Sequence, residues 1–101
     1  MNFEPINIDI RLTTASEAKE LKLNRDKTVS KEMIKTLDSE IRSACDSGKA
    51  VYQFYFKDSL HSEDVKLGII ALLEKNGYKV TRNKGHDQRE GDSWDYITIQ
   101  W

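Results

Sequence analysis

Ser62-Glu63-Asp64-Val65-Lys66-Leu67-Gly68-Ile69-Ile70-Ala71-Leu72-Leu73-Glu74-Lys75-Asn76-Gly77-Tyr78-Lys79-Val80 is the stretch around which the rest of the chain is arranged. It reads as a helix over residues 62–76 that stops abruptly and turns into a strand. The Ser62 hydroxyl can cap the first turn, and Glu63 and Asp64 set negative charge against the positive end of the helix dipole. Val65, Ile69, Leu72 and Leu73 recur at helical spacing and predict one buried stripe, with Lys66, Glu74 and Lys75 turned to water. Gly77 supplies the left-handed residue that ends a helix without steric cost, and Tyr78 is placed to pack back onto the last turn. A helix that ends this way lies across the sheet it feeds, so helix and sheet share one core.

Outward from that stretch, residues 50–57, Ala-Val-Tyr-Gln-Phe-Tyr-Phe-Lys, are aromatic and β-branched and predict a strand. Tyr52, Phe54 and Phe56 share one face, expected to meet the helix; Val51, Gln53 and Tyr55 share the other. Asp58-Ser59 turns the chain and leaves Leu60 beside the helix start. A second strand is expected from Tyr78 to about Arg82, then a polar loop over residues 83–92. The third strand, residues 93–101, sets Ile97, Ile99 and Trp101 on one face and Trp94, Tyr96 and Thr98 on the other. Strands one and two, joined through a helix, should run parallel, with the third antiparallel to the second and between them. The uncovered face then carries Tyr55, Tyr96 and Trp94, more aromatic surface than solvation requires.

Upstream, Thr14-Ala15-Ser16-Glu17 has the form of a capping box and predicts a short helix from residue 15 to about 23, Ala18 and Leu21 inward. Residues 24–27 are polar and read as a connection. A longer helix is expected over residues 30–47, stopped by Gly48, with Met33, Ile34, Leu37, Ile41 and Ala44 or Cys45 on one stripe. That stripe either packs on the sheet or pairs with a second copy. Before it all, Ile6, Ile8, Ile10 and Leu12 alternate with Asn7, Asp9 and Arg11, the period of a strand with one apolar face. This arm either lies on the chain's own core or docks on another subunit.

The expected fold is therefore α+β: an N-terminal arm or strand over residues 1–13, then one domain over residues 14–101, whose helices precede a β-α-β-β unit with a three-stranded mixed sheet. At 101 residues with 38% hydrophobic and 33% charged composition, a single modest core is what the chain can build. Sixteen Lys plus Arg against seventeen Asp plus Glu gives a net charge of -1, which disfavours non-specific attraction to nucleic acid or anionic membrane. No segment approaches the roughly 20 apolar residues that span a bilayer, and the first residues lack the character of a secretion signal. Lone Cys45 has no internal disulfide partner, which fits a reducing compartment.

The pattern Leu73-Glu74-Lys75-Asn76-Gly77-Tyr78-Lys79-Val80, a polar loop, then Asp95-Tyr96-Ile97-Thr98-Ile99-Gln100-Trp101 resembles the ending of many small tailed-bacteriophage proteins. Thr14-Ala15-Ser16-Glu17-Ala18-Lys19, before a charged helix and a strand, is similar to their opening. Together these cover most of the chain after residue 13. The resemblance implies a phage origin and a small accessory role, in the virion or against the host, and brings no catalytic residues with it. The apolar arm is longer than that group leads one to expect.

Chemistry is thinly represented. His86, Asp87 and Asp92 share a loop with Arg89 and Glu90, but no second His or Cys stands nearby at ligand spacing, and His61 reads as a surface residue ahead of a helix. Cys45 near a helix C-terminus is poorly placed for a thiolate. No phosphate-binding loop, dinucleotide fingerprint or nucleophile elbow is present. The expectation is a protein without catalytic, cofactor or metal residues. It would bind phage structural proteins, a host protein or its own copies through Ile6, Ile8, Ile10, Leu12, Tyr55, Trp94 and Tyr96, acting in the virion or host cytoplasm. The alternative is a small inhibitor that captures a host factor, nucleic acid or nucleotide with residues 83–92, using Arg82, Lys84 and Arg89. Against nucleic acid stand Asp87, Glu90, Asp92 and Asp95, which cancel the field of Lys79, Arg82, Lys84 and Arg89.

Overall fold

A computed structural model describes residues 12–101 as α1 (Ala15–Asp46), β1 (Val51–Tyr55), α2 (Glu63–Lys75), β2 (Lys79–His86) and β3 (Ser93–Gln100). Ile6, Ile8 and Ile10 lie outside the described residues. The fold among the described residues is α+β, two helices on a three-stranded sheet.

Each end of α2 is held by the chemistry its residues carry. The Ser62 hydroxyl accepts from Val65 N–H at 3.3 Å, and Glu63 and Asp64 occupy the first turn. At the far end Gly77 adopts φ 92°, and the N–H groups of Tyr78 and Gly77 donate to the Leu73 and Glu74 carbonyls at 3.1 and 3.0 Å. Carbonyls of the last turn are thus satisfied as the chain reverses into β2. The end of α1 repeats the device, with Gly48 at φ 76° and Lys49 and Gly48 donating to Ala44 and Cys45.

Two helices were expected upstream; the structure has one. α1 runs unbroken for 32 residues, about 48 Å at the rise of a helix. Residues 24–27 contain no Pro or Gly to interrupt it, and polar side chains there bond along the helix and across to the segment before α2, where Arg25 donates to the Ser59 and Leu60 carbonyls at 3.4 and 3.3 Å. Lys22 pairs with Asp26 at 2.7 Å one turn on, and Thr28 donates to the Asn24 carbonyl at 3.0 Å. Thr14 caps it, accepting from Glu17 N–H at 3.1 Å. Ala18 and Leu21, expected inward, are exposed, because the first turns of α1 extend past the body that α2 and the sheet provide. Met33, Leu37, Ile41 and Ala44 are the buried stripe, while Ile34 and Cys45 face outward.

The strand order is β1-β3-β2 with both pairings antiparallel. A mixed sheet was expected because β1 and β2 are joined by a helix; they do run parallel, but β3 separates them and neither ladder is a parallel one. β2 also continues to His86, so the connection to β3 is Asp87–Asp92 and not the ten residues anticipated. Polar Asn83, Lys84 and Gly85 pair with Tyr96, Asp95 and Trp94, the ladder overriding a weak local preference. The six-residue loop is closed by Asp87 N–H to Asp92 C=O at 2.6 Å, by Gly91 N–H to Asp87 C=O at 2.9 Å, and by Arg89 N–H to the Asp87 carboxylate at 2.9 Å.

Both helices lie on one face. α1 packs on α2 and β1, and α2 packs on β2. The core between them is Met33, Leu37, Ile41, Phe56, Val65, Ile69, Leu73, Ile97 and Ile99, joined by half-buried Tyr52, Phe54 and Val80. Ile97 and Ile99 are wholly enclosed; truncating either to Ala should cost about 2–5 kcal/mol. Leu72 lies at the margin of the core and is partly exposed, as is Leu60. Trp101 shares the helix side of the sheet and meets Tyr78 edge to face at 6.2 Å.

Candidate functional site

With both helices on one side, the opposite face of the sheet is bare. Strand parity decides what it shows. Tyr55 pairs with Tyr96, Tyr96 with Asn83, and Trp94 with Gly85, so these residues form one patch across three strands. The Tyr55 and Tyr96 ring centroids are 4.9 Å apart at 39°. Trp94 lies over Gly85, where an added Cβ would strike the indole ring, and its Nε1–H donates to Asn83 Oδ1 at 2.8 Å. Glycine is required here by close approach rather than by backbone angle. Tyr55 remains 59% exposed and Trp94 41%. The patch is thus a pre-set aromatic platform whose outward ring faces are in water.

Charge is scarce on that face. Val51, Gln53, Thr81, Asn83, Thr98 and Gln100 occupy its other strand positions with Lys79, and no carboxylate does. Apart from Lys79, the charged residues of β2 and β3 are on the helix side, where Arg82 and Asp95 join a cluster the sequence did not reveal. Asp95, 7% exposed, accepts from Arg82 Nε and Nη2 at 2.9 and 2.8 Å and from Lys66 Nζ at 2.8 Å. Lys66 also donates to Asp58 at 2.5 Å, and Arg82 to both oxygens of Glu63 at 2.6 and 3.0 Å. Both cations also lie within 6 Å of the Phe56 ring centroid, Lys66 at 5.6 Å and Arg82 at 5.8 Å.

Lys66 was expected in water and is buried. It is tolerated there because its ammonium donates to two carboxylates, Asp58 and Asp95. A signal existed: Lys66 stands three, four and seven residues before Ile69, Ile70 and Leu73, while Asp95 alternates with Ile97 and Ile99. The bond from Arg82, helped by Lys66, holds the Asp95 carboxyl at about 2, against the opposing pull of burial. Arg82 is raised by Asp95 and Glu63; Lys66 is raised as well, its bonds to Asp58 and Asp95 outweighing burial. His61, expected at the surface, is buried. Its Nδ1 accepts from Lys57 N–H at 3.0 Å, and burial lowers its basicity, so the ring is neutral with its proton on Nε2.

The remaining sequence candidates scatter. Leu12 is 86% exposed ahead of the α1 cap. Arg82 is committed within the cluster, Lys84 pairs in register with Asp95 on the helix side, and Arg89 is in the exposed loop. Those three cations therefore do not converge on the aromatic patch. Among the described residues no group of three or more His, Cys, Asp or Glu is placed to hold a metal ion, and no helix is long and apolar enough to cross a membrane.

What the fold and its surface define is a small α+β domain with one face of its sheet left uncovered. The sequence matches the family described as Phage T4 Y10B protein over residues 6–101, and the chain belongs to that family, a group of phage proteins. The match begins within the apolar arm, at Ile6. No curated protein and no solved structure matches the chain.

Proposed function

We propose that this phage protein works by binding another protein through the bare face of its sheet, as an accessory or assembly factor in the virion or host cytoplasm, and catalyses no reaction. The observation that carries the reading is the platform of Tyr55, Tyr96 and Trp94. Tyr and Trp dominate the energetic centres of protein interfaces because they present large, stiff surfaces with a polar edge. Trp94 is already fixed by Asn83 and Gly85, so little side-chain entropy remains to be lost on docking. The absence of clustered cations around the rings favours a protein over a nucleic acid, whose backbone would need them.

The test is affinity capture from infected cells with the full-length chain, beside a Tyr55→Ser/Trp94→Ser double variant and a Lys35→Ala control on α1. A protein recovered in stoichiometric amount by the wild type and the control, and lost with the double variant, is the expected result. Equal recovery by all three removes the sheet face from the mechanism.

A further inference from the structure

We propose that the open edge of β1 receives residues 6–12 of a second copy of this chain as an added fourth strand. This is separate from binding at the sheet face and does not depend on it.

The edge is open and unguarded. Phe56 N–H donates to Asp95 and Ala50 C=O accepts from Trp101, at 2.8 and 3.1 Å, so the even-numbered residues of β1 turn their backbone groups to β3. Antiparallel alternation then points the N–H and C=O groups of Val51, Gln53 and Tyr55 away from the sheet, and β1 is terminal in the strand order. Sheet edges are normally blunted by charge, Pro or a bulge. The other edge has such protection in Lys79, Arg82 and Lys84, whereas β1 contains no charged residue, Pro or Gly. Beside the β1 edge a recess opens against α1, with Val29, Met33 and Phe54 among its lining.

The chain carries a segment of matching character. Ile6, Ile8, Ile10 and Leu12 alternate with Asn7, Asp9 and Arg11, so a strand of these residues offers one apolar side to the recess and one polar side to water. Reach selects the second copy over the first. The α1 residues flanking Tyr55, such as Glu32, lie 18 positions beyond the Thr14 cap, about 27 Å along the helix. Returning that distance in extended chain consumes about eight residues. In its own molecule, Ile8, Ile10 and Leu12 would be spent as tether before the edge began, leaving only residues 1–6, in which Pro5 removes a ladder donor and Pro5-Ile6 breaks the alternation. From a second molecule the whole segment is free to pair.

Light scattering behind a sizing column, on full-length chains across the micromolar range, tests this. The wild type is expected at a multiple of 11.7 kDa. Ile8→Lys/Ile10→Lys, and Gln53→Pro at an outward-facing N–H, are each expected to drop to the monomer mass with an unchanged far-ultraviolet circular dichroism spectrum. Should Gln53→Pro fail to fold, a second measurement decides. In a Cys45→Ser background, Asn7→Cys or Asp9→Cys chains are mixed with Gln53→Cys chains, and a disulfide between the two populations is expected. A monomeric wild type, an oligomer indifferent to the arm changes, or the absence of a disulfide between the two mixed populations would each overturn the proposal.

Discussion

Asp95 is the residue on which the polar interior turns. Replacing it with Asn leaves Lys66 and Arg82 facing each other without their shared counter-charge. Urea denaturation of Asp95→Asn should show a loss of about 3–5 kcal/mol, the range for breaking a buried pair from one side. The pH dependence has a definite sign. A carboxyl lowered from 3.8 to about 2 on folding contributes stability that is complete above pH 4 and is lost as pH falls towards 2. That contribution is about 2 kcal/mol, and the slope it produces in an acid titration of stability should be absent in the Asn variant. Gly85 makes the second prediction at this scale. Ala there needs the space that the Trp94 ring occupies, so Gly85→Ala should free the indole from Asn83. In a Trp101→Phe background, a red-shifted and less structured Trp94 emission would report it; an unchanged spectrum would mean the ring is not seated as described.

Among the elements, α2 owes its limits to single residues and α1 does not. Ser62→Ala removes the hydroxyl that meets Val65 N–H, and Gly77→Ala forces a side chain into a left-handed conformation. Each should lower thermal stability by about 1 kcal/mol without moving the binding face. α1 is different in that its two ends live in different surroundings. Between Met33 and Ala44 its stripe is buried against β1 and α2, whereas all but one of residues 15–25 are exposed. Isolated helix of that length is marginal in water. Amide hydrogen exchange should therefore be fast over residues 15–25 and approach the global opening rate over residues 33–44. Uniform protection along the whole helix would show that something else covers its first turns.

For the molecule as a whole, the consequence is a division of labour between two faces. The helix side holds the core and the ion cluster, and changes there should be read out as stability. The bare side holds three rings whose exposed surface does nothing for the isolated fold. Tyr55→Ser/Trp94→Ser should accordingly unfold within about 1 kcal/mol of the wild type while losing its partner. Large destabilisation by that double change would reassign the rings to folding and away from recognition.

The local signals in the sequence determined much of this architecture. Ser62, Gly77, Thr14 and Gly48 marked helix ends because capping is chemistry between residues a few positions apart, and the alternation around Ile97 and Ile99 marked β3 because side chains leave a strand with period two. The same parity places Tyr55, Tyr96 and Trp94 on one face. Three matters were decided only by tertiary contact. Residues 24–27 stayed helical because α1 is one rod, part of it anchored on the sheet, and nothing local stopped it. Asn83, Lys84 and Gly85 became strand because β3 offered them partners 9 to 13 residues away. Lys66 entered the interior because Asp58 and Asp95, brought beside it by the turn after β1 and by β3, could hold its charge; its spacing from Ile69, Ile70 and Leu73 set it on the apolar side of α2 but named no counter-charge.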